Sequence, residues 1–365
     1  MTNDILHQIA LTQVIGIGAV QAKQLIDHFG DANSIFKASK KTLSSIEGIG
    51  EVRAKAIKDF DDFKSAEAEI NFCHKHHINP LFLKDIDYPQ RLLHCYDAPT
   101  VLYYRGNANL NNTKIVSIIG TRSNSDYGKQ ITEQIIEALQ PLNVLIISGL
   151  AFGIDAIAHK SAVQNNLSTV GVLAHGLDTI YPAQHKSLAK DILLNGGLLT
   201  EFPKSTKPDK HNFPRRNRIV AGMADCTIVI ETQAKGGSMI TAELAYNYNR
   251  DLFAVPGKIT DTKSSGCLKL IQQNKAAIFT DVNHLIETMG WETKAPKPKK
   301  QRELFVALTQ DEQTIVNILT AKELVGIDDI YPQSGLSSSS VAAAMLGLEL
   351  QGLIICLPGK MYKLA

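Results

Sequence analysis

Five loops in the middle of the chain combine glycines with hydroxyl side chains at a density that a strand-to-helix turn does not require. Backbone amides and hydroxyl groups of this kind bind phosphate oxygens, above all where a helix begins after the loop. A turn would account for any single loop, but five together predict a phosphate-rich ligand. The loops are Gly120-Thr-Arg-Ser-Asn-Ser, Ser148-Gly-Leu-Ala-Phe-Gly-Ile-Asp, Ala174-His-Gly-Leu-Asp, Glu231-Thr-Gln-Ala-Lys-Gly-Gly-Ser and Val255-Pro-Gly-Lys.

Basic side chains accompany the same loops. Arginine binds phosphate through two parallel hydrogen bonds, and its planar guanidinium group also stacks on a base. A solvated basic face would explain any one of these cations, whereas their grouping with the loops supports a phosphate ligand. The cations are Arg122, Arg215, Arg216, Arg218, Lys235 and Lys258.

Motifs for cofactors and for catalysis are missing from the sequence. The first central strand is not followed by GxGxxG, and GxxxxGK[ST], HExxH and GxSxG do not occur. Asp155 and His159 are four residues apart and could meet on one helix face. Because no nucleophile or metal partner accompanies them, we interpret Asp155 as a helix-start residue and His159 as packing. The sequence therefore predicts no cofactor and disfavours both dinucleotide redox chemistry and P-loop hydrolysis.

Cysteines and histidines give no metal-binding pattern. The five cysteines are scattered and form no CxxC pair, which is typical of reduced thiols inside the cell. Cys73, His74, His76 and His77 are close together, but no second group of ligands follows at a matching spacing. We interpret these histidines as cations near a helix C-terminus, where the helix dipole favours them.

Apolar strand patterns alternate with helical patterns over residues 111–291. The helical patterns include Tyr127–Leu139 and Ile154–Gln164. This alternation predicts an α/β fold, a Rossmann-like parallel sheet covered by helices on both faces. The predicted strands are Ile115–Ile119, Val144–Ile147, Thr169–Leu173, Leu198–Thr200, Thr227–Ile230 and Leu252–Val255.

An internal repeat occupies much of residues 1–65. Gly16, Gly18, Ala22 and Lys23 of the first copy fall in step with Gly48, Gly50, Ala54 and Lys55 of the second. Each copy predicts two helices joined by a tight Gly-Ile-Gly hairpin, so that residues 1–65 form a small all-α helix-hairpin-helix domain. Hairpin amides at a helix N-terminus suit phosphate, yet such pairs also serve as packing modules, so DNA contact by this domain remains open.

The rest of the chain divides into a connector, a linker and a second small domain. Residues 66–110 are predicted to be a connector with one helix and a looped segment. Residues 292–303 are polar, basic and proline-bearing, which predicts a flexible linker. Residues 304–365 pattern as three helices followed by a β-hairpin, which predicts a winged-helix domain.

Charge and hydropathy restrict the class of protein. The formal net charge is only +2, so a nucleic-acid surface must come from local clustering of cations. The first residues lack the basic start and apolar run of a signal peptide, and no apolar stretch reaches the length of a membrane span. We therefore expect a cytoplasmic protein with no membrane partner.

Ordered motifs along the chain resemble the DprA/Smf (DNA-processing protein A) family. The winged-helix pattern also resembles the optional third domain of that family. An ordered set is far more specific than a single glycine-rich loop. The matching stretches include Ala98-Pro-Thr-Val-Leu-Tyr-Tyr-Arg-Gly, Ile119-Gly-Thr-Arg, Ser148-Gly-Leu-Ala-Phe-Gly-Ile-Asp-Ala-Ile-Ala-His, Phe213-Pro-Arg-Arg-Asn-Arg-Ile-Val-Ala-Gly, Gly237-Ser-Met-Ile-Thr-Ala and Leu252-Phe-Ala-Val-Pro-Gly.

The resemblance implies a protein that is not an enzyme. It implies sequence-independent binding and protection of single-stranded DNA, loading of a RecA-type recombinase in natural transformation and homologous recombination, and a homodimer formed through the Rossmann domain. The DNA-binding residues that the resemblance and the loops together indicate are Gly120, Thr121, Arg122, Ser148, Gly149, Phe152, Phe213, Arg215, Arg216, Asn217, Arg218, Lys235, Gly236, Gly237 and Ser238.

The sequence departs from the family pattern in places, and two other functions stay open. Phe152 stands where the family often has a basic residue and would instead stack a base. Leu268 and the Gly236-Gly237-Ser238 triplet also differ from the usual pattern. One alternative is a Rossmann nucleotide phosphoribohydrolase of the lysine-decarboxylase-like group, with Arg216 and Glu243 beside the glycine loop. A transcription regulator acting through the winged helix is the other.

Overall fold

Short helices meet around two glycine hairpins at the start of the chain in the computed structural model, which describes residues 2–291, 308–322, 324–357 and 360–364. Gly16 and Gly48 take φ angles of +82° and +77°, a left-handed conformation that favours glycine. Leu11, Leu25 and Leu43 fill the small core between the helices. The helix-hairpin-helix repeat predicted from the sequence is confirmed. Its helices are α1 (Thr2–Gln13), α2 (Ala19–Phe29), α3 (Ala32–Lys37), α4 (Lys40–Ser44) and α5 (Gly50–Lys58).

The segment predicted as a connector contains two strands that the sequence did not suggest. It forms α6 (Phe63–Lys75), β1 (Asn79–Phe82), α7 (Gln90–Leu93) and β2 (Val101–Gly106). Their pairing differs from that of the predicted strands: β1 pairs antiparallel with β2, and β2 pairs antiparallel with a strand almost a hundred residues later. Val101 and Tyr103 of β2 pack with α1 and α6, while Leu102 and Tyr104 join the main core, so this strand connects the helical region to the sheet.

A nine-stranded, mostly parallel sheet forms the centre of the molecule. Its order is β1-β2-β6-β5-β4-β3-β7-β8-β9, and all strands from β3 onward in the chain run parallel. The predicted α/β fold is confirmed, and the six predicted strands are present with ends shifted by at most two residues. The parallel strands are β3 (Ile115–Ile119), β4 (Leu145–Ser148), β5 (Thr169–Val172), β6 (Gly196–Thr200), β7 (Cys226–Val229), β8 (Asp251–Ala254) and β9 (Ala277–Ile278).

Helices cover both faces of the sheet, as the apolar strands require. Ile118 and Ile146 point into one apolar cluster, and Ile119 and Ile147 point into another. Residues of the covering helices complete both clusters: Ile135, Ala158 and Leu285 in the first, and Leu92, Ile219, Ala242 and Leu270 in the second. The helices are α8 (Asp126–Leu139), α9 (Ile154–Gln164), α10 (Lys186–Ile192), α11 (Asn212–Met223), α12 (Gly237–Asn247), α13 (Ser265–Gln272) and α14 (Val282–Thr288).

The strand order reverses between β3 and β7. The chain moves outward from β3 through β4 and β5 to β6, and then returns so that β7 lies on the other side of β3. Loops that leave the carboxyl ends of β3 and β7 therefore depart in opposite directions and leave a crevice between them. Open α/β sheets bind ligands at such a crevice.

The C-terminal unit has the three helices and small antiparallel sheet of the predicted winged helix. Contacts divide the chain into residues 1–291 and 292–365. The predicted linker at 292–303 lies outside the described residues, as do Pro358 and Gly359 of the predicted turn. The unit contains α15 (Gln310–Ala321), β10 (Val325–Gly326), α16 (Ile327–Ser334), α17 (Ser338–Leu350), β11 (Ile354–Leu357) and β12 (Met361–Leu364), with strand order β10-β12-β11.

None of the helices in the described residues is both long enough and apolar enough to span a membrane.

Candidate functional site

A cavity of about 610 Å³ opens in the crevice between the carboxyl ends of β3, β4 and β7. Loops that the sequence singled out for their glycines and hydroxyls form much of its wall. It therefore lies where the sheet topology places a ligand. The predicted site residues in its lining are Gly120, Thr121, Arg122, Gly149, Phe213, Arg216, Asn217, Gly236, Gly237 and Ser238.

Two glycines let the loop after β4 pass close to its neighbours. A Cβ atom at Gly149 would lie 2.4 Å from Nη1 of Arg216, and one at Gly153 would lie 2.2 Å from the carbonyl oxygen of Thr121. Gly153 also has a φ of +77°. Both distances are far below van der Waals contact, so this loop can wrap around the cavity only with glycine at these positions.

Arg216 lies beneath the cavity and is only 5% exposed. Its Nη1 donates to the carbonyl oxygens of Gly149 and of Val172, the latter at 2.6 Å, and its Nε donates to Oδ1 of Asn217 at 3.1 Å. These bonds join α11 to the carboxyl ends of β4 and β5. Arg216 therefore fixes the floor of the cavity, and most of its donors are already used.

Asp155 is the only carboxylate among the described residues that line the cavity. It accepts a hydrogen bond from the amide of Ala151 at 3.3 Å. Burial raises the pKa of Asp155, while the nearby Arg216 guanidinium acts in the opposite direction. The carboxylate thus begins α9 and faces Arg216, in keeping with the helix-start interpretation from the sequence.

Three cations remain at the mouth of the cavity: Arg122, Lys210 and Lys263. No ion pair joins any of them to an acidic group within the described chain. The Arg122 guanidinium carbon lies 5.3 Å from the ring centre of Phe213. Sequence reasoning missed Lys210 and Lys263, although Lys210 directly precedes the arginine-rich segment and Lys263 follows the Val255-Pro-Gly-Lys loop.

Arg215 and Arg218, both predicted from the sequence to bind DNA, lie outside the cavity lining. Arg218 is 12% exposed in its side chain; Nη2 lies 2.5 Å from Oε2 of Glu201, and Nη1 donates to the carbonyl oxygen of Asp97. Arg215 also contacts Glu201, at 3.0 Å. Successive residues of a helix point about 100° apart, so Arg216 and Arg218 face different sides of α11.

Ser148, Lys235 and Phe152, which were also predicted as site residues, lie outside the cavity lining. Ser148 is buried, and its hydroxyl donates to the carbonyl oxygen of Ile118 at 2.6 Å. Lys235 is exposed and lies outside the cavity lining. Phe152 lines a smaller recess that adjoins the cavity and shares Arg122 and Phe213 with it.

Glu243, the acidic residue of the hydrolase alternative, is not in the cavity lining. Its carboxylate pairs with Lys275, with Oε2 2.6 Å from Nζ. The cavity therefore lacks the arginine and glutamate pair that this alternative requires, and its one carboxylate is the buried Asp155.

Two cations of the helix-hairpin-helix region, one in each repeat, are engaged within the protein. Lys23, in the first repeat, donates to the carbonyl oxygens of Leu93 at 2.8 Å and of Cys95 at 3.4 Å. Arg53, in the second, donates to the carbonyl oxygens of Gly16 at 3.0 Å and of Gly48 at 2.8 Å. The region is therefore bonded to the end of α7 and to the loop that follows it, and Arg53 joins the two hairpins.

The Rossmann-like sheet of this protein has a cation-bordered cavity at the point where its strand order reverses. The chain also contains a helix-hairpin-helix tandem and a winged helix, and these features together define a class of DNA-processing proteins. Residues 79–290 match the family described as DNA recombination-mediator protein A. Residues 9–60 match the SAM-like helix-hairpin-helix tandem, and residues 295–360 match the DprA winged helix domain. The chain belongs to the DNA recombination-mediator protein A family, which confirms the resemblance found in its sequence.

Individual relatives agree with this assignment. Protein Smf of Synechocystis sp. is 34% identical over 98% of this chain and 98% of its own length. DNA processing protein A from Streptococcus pneumoniae has a similar crystal structure, with a TM-score of 0.67, 31% identity and coverage of 79% of this chain and 98% of that chain. DNA processing protein A from Helicobacter pylori, whose structure concerns its unique single-stranded DNA binding mode, gives a TM-score of 0.54 and 31% identity over 59% of this chain and 96% of that one.

Proposed function

We propose that this protein binds single-stranded DNA without sequence preference and is not an enzyme. The observation that carries the proposal is the cavity where the strand order reverses, whose mouth holds the ring of Phe213 and three cations that form no ion pair within the described residues. Its relative from Helicobacter pylori, for which a single-stranded DNA binding mode is described, supports the same ligand.

Each part of the cavity has a function in this proposal. Arg122, Lys210 and Lys263 neutralise successive phosphates, and the amides of the Gly236-Gly237 loop at the start of α12 bind phosphate oxygens. Phe213 stacks a base. Stacking accepts every base, because each has a π-face, so binding does not depend on sequence.

We further propose that the bound strand is protected and then delivered to a RecA-type recombinase in natural transformation and homologous recombination. Membership of a recombination-mediator family supports this step. In the same proposal the protein acts as a homodimer formed through its Rossmann domain.

A titration of a 40-mer single strand against its duplex form, at two salt concentrations, tests the binding proposal. We expect tighter binding of the single strand. If the three cations each neutralise one phosphate, the logarithm of the binding constant falls with the logarithm of salt with a slope of about −2. Equal or tighter affinity for the duplex contradicts the proposal.

Incubation with AMP-type nucleotides tests the absence of hydrolysis. No release of free base is expected, because Glu243 is paired with Lys275 outside the cavity. Base release that is lost in Glu243→Gln would instead support the phosphoribohydrolase alternative.

A further inference from the structure

Two exposed aromatic rings border the recess beside the cavity. Phe152 is 43% exposed and Tyr181 is 49% exposed. The ring centre of Tyr181 lies 6.3 Å from that of Phe213, with 54° between the planes. The rings of Tyr181 and Phe213 are therefore neighbours and are not stacked on each other.

The protein holds Tyr181 in place through His175. The Nδ1 atom of His175 donates to the carbonyl oxygen of Gly176 at 2.9 Å, and its Nε2 accepts the amide hydrogen of Tyr181 at 3.2 Å. Burial lowers the pKa of His175, which keeps its ring neutral and its Nε2 available as an acceptor. The backbone of Tyr181 is thereby fixed to the loop after β5.

Phe152 is supported in a similar way. Its ring packs edge-on against His185, with 4.9 Å between the ring centres. His185 is buried, and its Nδ1 donates to the carbonyl oxygen of Leu150 at 2.9 Å. An exposed ring on a rigid support is suited to stacking, because little side-chain freedom is lost when a flat ligand binds.

We propose that Tyr181 and Phe152 form a second base subsite, which stacks an unpaired base adjacent to the base at Phe213. This inference rests on the proposed function and extends the path of the strand beyond the cavity. The recess shares Arg122, Phe213 and Arg216 with the cavity, so the two sites are continuous. Arg122, at the boundary, is in position to neutralise the phosphate between the two nucleotides.

The chemistry of the recess favours a nucleotide over an apolar peptide. Aromatic rings stack bases and a neighbouring cation neutralises the backbone of a single strand, and Arg122 forms no ion pair with any residue that the structure describes. The ligand of this subsite is therefore one nucleotide of the same strand that occupies the cavity.

Fluorescence anisotropy of labelled single strands with the full chain tests the subsite. Tyr181→Ala and Phe152→Ala are each expected to weaken binding by about 5- to 150-fold, the range of one lost base–aromatic stack. Tyr181→Phe is expected to retain wild-type affinity, because the ring remains. Tyr246→Ala is the matched control: Tyr246 is 46% exposed and contacts Lys275 instead of the cavity.

A single abasic position moved along the strand gives a second measurement, which a folding defect would not imitate. We expect wild-type protein to lose affinity when the abasic position reaches the subsite, and Tyr181→Ala to lose that position-specific penalty. Wild-type affinity and an unchanged abasic profile in Tyr181→Ala, while Arg122→Ala binds weakly, would overturn the subsite and leave the proposed function intact. No single-strand binding by the wild-type protein would remove both proposals.

Discussion

Three arginines in one short segment have three different environments. Arg216 is bonded to main-chain carbonyls beneath the cavity, Arg218 is paired with Glu201, and Arg215 is mostly exposed beside the same glutamate. The sequence shows the residue types and their spacing in the chain. It does not show which side of α11 faces the cavity, because that depends on how the helix packs on the sheet.

Replacement of Arg218 by alanine is expected to lower stability and not DNA affinity. The change leaves Glu201, whose side chain is 5% exposed, with only the mostly exposed Arg215 as an ion-pair partner, which should cost about 2–4 kcal/mol in the free energy of unfolding. Chemical denaturation and single-strand titration measure the two effects. In a Glu201→Gln background the same change should cost less.

Arg122→Ala is the contrasting variant. Arg122 is exposed at the cavity mouth and has no ion-pair partner in the described residues, so we expect an unchanged melting temperature and an affinity lower by about 5- to 150-fold. Reduced stability with normal affinity in Arg122→Ala, or the reverse pattern in Arg218→Ala, would contradict this division of roles.

His159 is expected to make the protein less stable in acid. Its Nδ1 donates to the hydroxyl of Thr169 at 2.7 Å, and burial lowers its pKa from 6.5 to about 3. Between these pH values the unfolded chain binds a proton that the folded chain does not. The free energy of unfolding therefore decreases as the pH is lowered, by at most about 1.4 kcal/mol per pH unit.

Urea denaturation of the wild type and of His159→Gln at several pH values isolates this effect. The difference in stability between the two proteins should shrink as the pH falls below 6.5. The comparison is needed because burial raises the pKa of Asp155, which acts in the opposite direction in both proteins. A difference that is constant with pH would mean that His159 does not titrate as described.

The sequence predicted those strands, helices and hairpins that local residue patterns determine. The parallel strands are buried and mostly apolar, and the hairpins carry glycines at the positions with positive φ. Strands β1 and β2 were missed because β1 pairs with β2, and β2 pairs with β6, a partner almost a hundred residues away that no local pattern reveals. The helix-hairpin-helix repeat was recognised, but not that Lys23 and Arg53 are bonded to main-chain carbonyls within the protein.

Lys23→Met tests whether the first hairpin repeat is a packing module. The change removes the donor to the carbonyls of Leu93 and Cys95, and we expect stability to fall by about 1 kcal/mol with unchanged DNA affinity. Lys55→Met is the matched control, since Lys55 occupies the same repeat position and is exposed. Loss of affinity in the Lys23 variant at normal stability would instead indicate DNA contact through this region.

The two units of the molecule, residues 1–291 and 292–365, are expected to have different functions. All residues of the cavity and recess belong to the first unit. Helix α17 of the second unit contains no lysine or arginine and exposes Leu346 and Leu350, which suits a protein partner better than a DNA groove.

Fluorescence anisotropy of the separate fragments 1–291 and 304–365 tests this division. The larger fragment should retain most of the single-strand affinity of the full chain, and the smaller should bind weakly. Tight binding by the small fragment, with none by the large one, would show that the cavity is not the DNA site.

The contact between Gly149 and Arg216 limits how this molecule can change. A side chain at 149 would collide with the guanidinium, and a shorter residue at 216 would leave the carbonyls of Gly149 and Val172 without their shared donor. Two positions 67 residues apart in the chain therefore constrain each other. Efforts to redirect the cavity toward another ligand have more freedom at its rim, where Lys210 and Lys263 are not committed to ion pairs within the described chain.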